Sequence, residues 1–138
     1  MRPVNTAASS SSARSHDSDR SEPRLVDLVD EWLDWSQAAE QLGVPASKVR
    51  QLVREHQLAA AVPVPGEGPK VPAAFLHEGQ IVKGVPGILT VLADARFDDA
   101  AAIAWLFQPD DTLPGRPIDA LREDRGSEAK RRAQALGF

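Results

Sequence analysis

The sequence predicts a mainly α-helical protein that carries one small β-hairpin. Residues 36–57, SQAAEQLGVPASKVRQLVREHQ, place apolar side chains at helical spacing on both sides of a glycine. Residues 59–76, AAAVPVPGEGPKVPAAFL, place a glycine-rich tip between short β-branched runs, which is typical of a hairpin. The apolar residues of segment 77–138 favour helices again, so the predicted order is helices, hairpin, helices.

The composition excludes several classes of protein. Of the 138 residues, 42% are hydrophobic and 26% are charged, which is typical of a chain that folds. There is no cysteine, and His16, His56 and His77 lack the spacing of metal ligands, so we expect neither a metal nor another cofactor. No nucleophile–base pair or phosphate loop indicates an enzyme. Without a signal peptide or an apolar run of about 20 residues, a cytoplasmic protein is expected.

Residues 1–24 are rich in Ser, Arg and Asp and hold almost no large apolar side chain. Such a segment cannot bury enough surface to offset the entropy of ordering, so we predict a disordered tail. A solubilising tail is the simplest interpretation. The alternative is a regulatory tail in which a Ser/Thr kinase phosphorylates Thr6, Ser9 or Ser10, because each phosphate would add negative charge to the segment.

The central motif begins after a short helix that the apolar spacing predicts over residues 25–33, with residues 32–35 extended. Ser36 is predicted to cap the first helix of the motif, because its hydroxyl can accept a hydrogen bond from a free backbone N–H. Gly43 should end that helix with a positive φ angle. Pro45 suits the start of the second helix, since the N–H that it lacks would be unpaired there.

The second helix has an apolar face and a polar face, at about 100° of rotation per residue. The inner face is formed by Val49, Leu52 and Val53, the opposite face by Ser47, Gln51 and Arg54, and the flanks by Lys48 and Arg50. A hairpin that directly follows such a pair of helices is a wing, which we place near residues 62–72. Its prolines confine it to a short, irregular edge, with Lys70 near the tip.

Segment 77–138 is predicted to form further helices around a shared core. One helix should begin at Pro86 and run through Leu92, and Asp98 or Asp99 should cap another that ends at Phe107. A loop over 109–117 separates these from two last helices, 118–121 and 128–136. The predicted core residues are Ile88, Leu89, Leu92, Phe97, Ile103, Leu106, Leu121 and Leu136.

Two stretches carry a resemblance to known proteins. WSQAAEQLGVPASKVRQLVREHQL followed by AVPVPGEGPKVPAAFL resembles the winged helix-turn-helix of the excisionase and MerR-type group. IVKGVPGILTVLADARFDDAAAIAWLFQPDD with RPIDALRE resembles the C-terminal part of a small actinobacterial DNA-binding protein family. The resemblance covers residues 32–138. It implies a winged helix-turn-helix over 25–76, a helical C-terminal domain over 77–138, and a role in transcriptional or nucleoid-related regulation.

In such a protein the second helix of the motif, residues 45–57, docks in the major groove of double-stranded DNA. Its exposed residues then divide by chemistry between base edges and phosphates. Gln51 suits adenine and Arg50 suits guanine, Lys48 and Arg54 suit phosphates, Ser47 lies near the bases, and Lys70 reaches a neighbouring groove or backbone. The plainer alternative is a solvated helix face whose cations are balanced by Glu55. The net charge of −4 disfavours DNA binding, although a local basic patch is sufficient.

Two alternatives concern the C-terminal domain. LPGRPIDALRE resembles the G-x-x-P-I-D motif of certain toxin-binding antitoxin domains, except that Gly115 is one residue nearer Pro117. This resemblance implies a protein-interaction module rather than a regulator.

The basic run 130–132 either compensates the dipole of the last helix or contacts a second phosphate. No long heptad repeat is present, so a homodimer would have to pair through the C-terminal helices.

Overall fold

The computed structural model describes residues 24–110, 113 and 115–136. Helices predominate in these ranges, and the predicted mainly α fold class is confirmed. The elements are α1 (Leu25–Leu28), β1 (Trp32–Leu33), α2 (Trp35–Leu42), α3 (Ala46–Arg54), β2 (Val71–Pro72), a 3-10 turn (Ala73–Phe75), β3 (Leu76–His77), β4 (Gln80–Ile81), α4 (Val85–Asp94), α5 (Asp99–Phe107), α6 (Pro117–Arg122) and α7 (Gly126–Ala135). The predicted disordered tail, with Thr6, Ser9 and Ser10, lies outside the described residues.

Helix α2 begins earlier than predicted, because Asp34 and not Ser36 is its N-cap. The Asp34 carboxylate accepts a hydrogen bond from the Gln37 backbone N–H at 2.8 Å, and Gln37 Oε1 accepts one from the Asp34 N–H at 2.9 Å. This reciprocal pair needs a long polar side chain three residues after the cap. Ser36 would have Ala39 at that place, so its competing cap is weaker. Gly43 ends the helix with φ 69°, as predicted.

Helix α3 begins at Ala46, with Pro45 at the cap position just before it. Pro45 therefore stands one place earlier than its predicted position inside the first turn. The Pro45 backbone is extended, with φ −65° and ψ 154°, and the helical conformation begins at the next residue. Val49 on the inner face is completely buried, whereas Leu52 and Val53 are half-buried against the core. This packing determines which side of α3 faces outward.

The two arms of the wing hydrogen-bond to each other at one pair of residues, and its returning arm pairs with a strand outside the wing. Ala61 and Lys70 exchange backbone hydrogen bonds of 3.0 and 2.8 Å. The prolines between them have no N–H to donate, so the two arms cannot form a longer ladder. Strand β2 instead pairs antiparallel with β1, where Trp32 lies opposite Pro72. The predicted helix therefore ends at Leu28 and not at residue 33. The predicted extended backbone is present at Trp32 and Leu33, but helix α2 already begins at Trp35.

The C-terminal segment contains a second hairpin, β3–β4, which the sequence did not predict. Its turn places Glu78 and Gly79 at φ 51° and 78°, the pair of positive angles that tight hairpins require. Asp98 caps α5 by accepting a hydrogen bond from the Ala101 N–H at 2.8 Å, so one of the two predicted caps is confirmed. Leu136 is 42% exposed, and its assignment to the core is wrong because α7 ends at Ala135.

One hydrophobic core extends through both halves of the described chain. The ring of Phe75, from the winged half, lies 5.6 Å from the ring of Phe107 on α5. Arg122 Nη1 donates to the carbonyl oxygens of Ala74 and Leu76 at 2.7 and 3.0 Å. The C-terminal helices are thus fastened to the segment that follows the wing. None of the helices in the described ranges has the length and apolarity needed to cross a membrane.

Candidate nucleic-acid interface

The outer face of α3 presents the predicted contact residues together. The side chains of Ser47, Lys48, Arg50 and Arg54 are exposed, and Gln51 is half-buried. Since Val49 on the opposite side of the helix is completely buried, this orientation follows from core packing. An amphipathic helix anchored in this way can enter a groove without rearranging.

The cations of this face are available to phosphates. Among the described residues, Lys48, Arg50 and Arg54 have no carboxylate partner. Glu55, which was expected to balance them under the plainer alternative, accepts a hydrogen bond from Gln51 Nε2 at 3.0 Å instead. Cations without an internal partner gain the most from displacing the counterions of DNA. Carboxylates of the described chain therefore do not balance the cations of this face.

The wing differs in character from α3. Lys70 Nζ lies 3.1 Å from Glu67 Oε1, so the predicted contact residue of the wing already has an acidic partner. Ahead of the tip, Val62 and Val64 are 48% and 38% exposed. The tip turns at Gly66, whose φ of 91° is accessible to glycine at little cost. The wing consequently presents apolar side chains and a compensated charge.

Asp99 holds the connection between α3 and the wing. Its carboxylate Oδ2 accepts a hydrogen bond from the backbone N–H of Ala60 at 3.2 Å, next to the buried Leu58. Burial raises the pKa of Asp99, while the hydrogen bond from Ala60 and the charge of His56 act in the opposite direction. The sequence offered Asp99 only as an alternative helix cap. Since Asp98 alone caps α5, the adjacent carboxylate is available to the wing connection.

The tryptophans support the face rather than form it. Trp32, Trp35 and Trp105 are half-buried and pack against the core. The indole Nε1 of Trp32 is buried without a hydrogen-bond partner in the described part of the chain. This tryptophan begins β1, the strand on which the returning arm of the wing pairs.

Two other predicted features lie in the C-terminal part of the described chain. In the segment that resembles an antitoxin motif, the Asp119 carboxylate accepts two hydrogen bonds from the Arg116 guanidinium, at 2.9 and 3.0 Å, and Ile118 is buried. On α7, Lys130 and Arg131 are exposed, whereas Arg132 is half-buried. No cluster of three His, Asp or Glu side chains within the described ranges is placed to share a metal ion.

The helix pair, the supported hairpin and the cationic outer face define a protein of the winged helix-turn-helix class. The chain belongs to the Rv2175c family. The family profile described as the winged helix-turn-helix domain of DNA-binding protein Rv2175c matches residues 24–76. The profile described as the Rv2175c C-terminal domain of unknown function matches residues 82–137.

Comparison with whole proteins agrees with these matches. The chain is 39% identical over 127 aligned residues to DNA-binding protein Rv2175c of Mycobacterium tuberculosis, covering 83% of this chain and 86% of that protein. It superposes on the NMR structure of Rv2175c with a TM-score of 0.72 at 37% identity, covering 86% of this chain and 90% of the other. The resemblance to a small actinobacterial winged helix-turn-helix family is confirmed. The comparisons do not favour the antitoxin alternative.

Proposed function

We propose that this protein binds double-stranded DNA through α3 and regulates transcription. The observation that carries the proposal is the outer face of α3, where exposed cations have no internal partner in the described chain and buried Val49 sets their direction. The matching relative is described as a DNA-binding protein, which supports the same assignment. In this proposal residues 25–76 bind DNA, and the helices of 77–138 hold the motif in place.

The roles on α3 follow from chemistry and position. Arg50 would donate to the N7 and O6 acceptors of guanine, and Gln51 would pair with adenine. Lys48 and Arg54 would hold phosphates, which determine register without reading sequence. The hydroxyl of Ser47 makes no hydrogen bond within the described chain, so it is available to a base or phosphate near the helix start. Lys70 would contact the backbone only after separating from Glu67.

The proposal is tested by fluorescence anisotropy of the full chain on random duplex DNA at several salt concentrations. For the unmodified chain, log affinity should fall linearly with log salt. Arg50→Ala combined with Arg54→Ala should weaken binding strongly, because one base contact and one phosphate contact are lost. The salt slope should fall by about one unit, since Arg54 is the residue of this pair assigned to a phosphate.

The matched control removes the same charge from α7, by Lys130→Ala combined with Arg131→Ala. We expect this control to lose much less affinity, and thermal unfolding should show that both double variants remain folded. Equal losses in the two variants would contradict the proposal, because either overall charge or a phosphate contact of the basic run 130–132 would then matter as much as the face of α3. Phosphorylation of Thr6, Ser9 or Ser10 by a Ser/Thr kinase stays a prediction about residues outside the described part of the chain.

A further inference from the structure

Glu55 occupies a place that is unfavourable for a carboxylate on two grounds. It is the C-cap of α3, where a negative charge meets the negative end of the helix dipole. It also lies on the helix that would approach the phosphates of DNA. The carboxylate has no cationic partner among the described residues, and its Oε2 accepts the hydrogen bond from Gln51 Nε2 at 3.0 Å. The hydrogen bond from Gln51 is therefore the side-chain contact that Glu55 makes within the described chain.

This contact determines which way round the Gln51 amide lies. A glutamine amide can turn by half a rotation about its last bond and exchange its oxygen and nitrogen with almost no change in shape. An ionised carboxylate only accepts hydrogen bonds, so it selects the orientation in which Nε2 faces Glu55. One N–H is then used by Glu55. The second N–H and Oε1 form the other edge of the amide, and Gln51 makes no other side-chain hydrogen bond within the described chain.

The remaining edge matches one base in the major groove. A donor beside an acceptor complements adenine, which presents N7 as an acceptor and N6 as a donor. Reversing the amide exchanges these two groups in place, so that Oε1 faces N7 of the purine and Nε2 faces the group at its 6-position. Guanine, whose O6 accepts, then keeps one favourable hydrogen bond, whereas adenine, whose N6 donates, keeps none. The orientation of the Gln51 amide thus decides between adenine and guanine.

Resting on the proposed docking of α3 in the major groove, we propose that Glu55 is a positioning residue that makes Gln51 select adenine over guanine. The pair is weak while both side chains are in water. It strengthens where DNA excludes water, since a hydrogen bond is electrostatically stronger in a low dielectric. The Glu55–Gln51 hydrogen bond should therefore affect the discrimination between bases more than the stability of the free protein.

The experiment uses the full chain and begins with site selection from random duplexes. Gln51→Ala then identifies the base pair at which the unmodified chain prefers adenine and the variant does not. At that base pair, affinities are compared for duplexes that differ only in adenine or guanine. The unmodified chain should prefer adenine by about tenfold, the discrimination typical of one bidentate contact.

Two substitutions at position 55 separate the proposed effect from a change of charge. Glu55→Ala should reduce the adenine preference to about twofold or less, because either amide orientation is then allowed. Glu55→Lys should reverse the preference toward guanine, since an ammonium only donates and would draw Oε1 toward itself. Glu40→Ala, which removes an exposed carboxylate of α2, is the matched control and should leave the preference unchanged.

Several results would overturn the proposal. Glu55→Ala could change overall affinity while the adenine-to-guanine ratio stays the same, or its effect on that ratio could persist when Gln51 is already alanine. Gln51→Ala could also alter discrimination at no base pair. Absence of salt-dependent binding by the unmodified chain would be a different failure, because it would refute the proposed function itself. Thermal unfolding of each variant verifies that the measured protein is folded.

Discussion

At the scale of single residues, the proposed DNA binding depends on which lysine and arginine side chains already have a carboxylate partner within the protein. Lys48, Arg50 and Arg54 of α3 have no carboxylate partner among the described residues, whereas Lys70 Nζ lies 3.1 Å from Glu67 Oε1. The side chains of this pair are 31% and 52% exposed, so it contributes little to folding. Under the proposed function, the pair has a larger effect on DNA binding, because it withholds the Lys70 cation from the phosphates.

We therefore expect Glu67→Gln to tighten DNA binding by releasing Lys70. The salt slope measured by anisotropy should steepen by about one unit, the change expected for one added phosphate contact. The free energy of unfolding should stay within about 0.5 kcal/mol of the unmodified value. Glu78→Gln is the matched control, since it removes the same charge at the β3–β4 turn. An unchanged slope for Glu67→Gln would show that Lys70 does not face DNA.

At the scale of elements, the helix-turn-helix depends on local signals at its ends. Asp34 and Gln37 satisfy the start of α2 reciprocally, and Gly43 takes the left-handed conformation that ends it. The start of α3 has an extended proline and no side-chain cap. The two helices are thus anchored differently, and α3 relies more on burial of Val49.

This assignment of the cap predicts different effects for two neighbouring substitutions. Asp34→Ala should lower the free energy of unfolding by about 1 kcal/mol, the usual cost of losing an N-cap. Ser36→Ala should change it by less than about 0.5 kcal/mol, because Ser36 is exposed and caps nothing. Urea unfolding of the full chain measures both. A larger loss for Ser36→Ala than for Asp34→Ala would contradict the observed start of α2.

At the scale of the whole molecule, α6 ties the winged half to the C-terminal helices. The Arg116 guanidinium lies 5.5 Å above the Phe107 ring, and its Nη1 is 3.5 Å from the carbonyl oxygen of Leu28. The hydrogen bonds from Arg116 lower the pKa of Asp119 below its ordinary value of 3.8. A lowered pKa stabilises the folded state above 3.8, and that contribution is lost as the pH falls through the folded-state value.

Asp119→Asn should consequently alter the response of stability to acid. At neutral pH the variant should lose about 1 kcal/mol of unfolding free energy, a value reduced for partial exposure of the pair. Below pH 3.8 its disadvantage should shrink, because the unmodified carboxyl becomes protonated as well. Asp27→Asn, at an exposed carboxylate, is the control. Parallel stability curves for the unmodified chain and Asp119→Asn across this range would contradict the role of the Arg116 contact.

The sequence by itself determined the helix-turn-helix and the direction of its outer face. Gly43, the helical spacing around Val49 and the polar residues of α3 act over four residues or fewer, so a local pattern is enough to predict them. The same reasoning identified Asp98 as a candidate cap for α5.

Only the tertiary structure decided which residues that are far apart in the sequence contact each other. Trp32 pairs with Pro72 across two strands, and the Asp99 carboxylate accepts a hydrogen bond from the backbone N–H of Ala60. Arg122 donates a hydrogen bond to the carbonyl oxygen of Ala74, which lies 48 positions away in the sequence. The sequence predicted extended backbone at residues 32–35 but not the strand with which it pairs, because Trp32 and Leu33 pair with residues 71–72, far along the chain. Contacts between residues far apart in the chain depend on how complete elements pack, and packing is a property of the assembled core rather than of any local pattern.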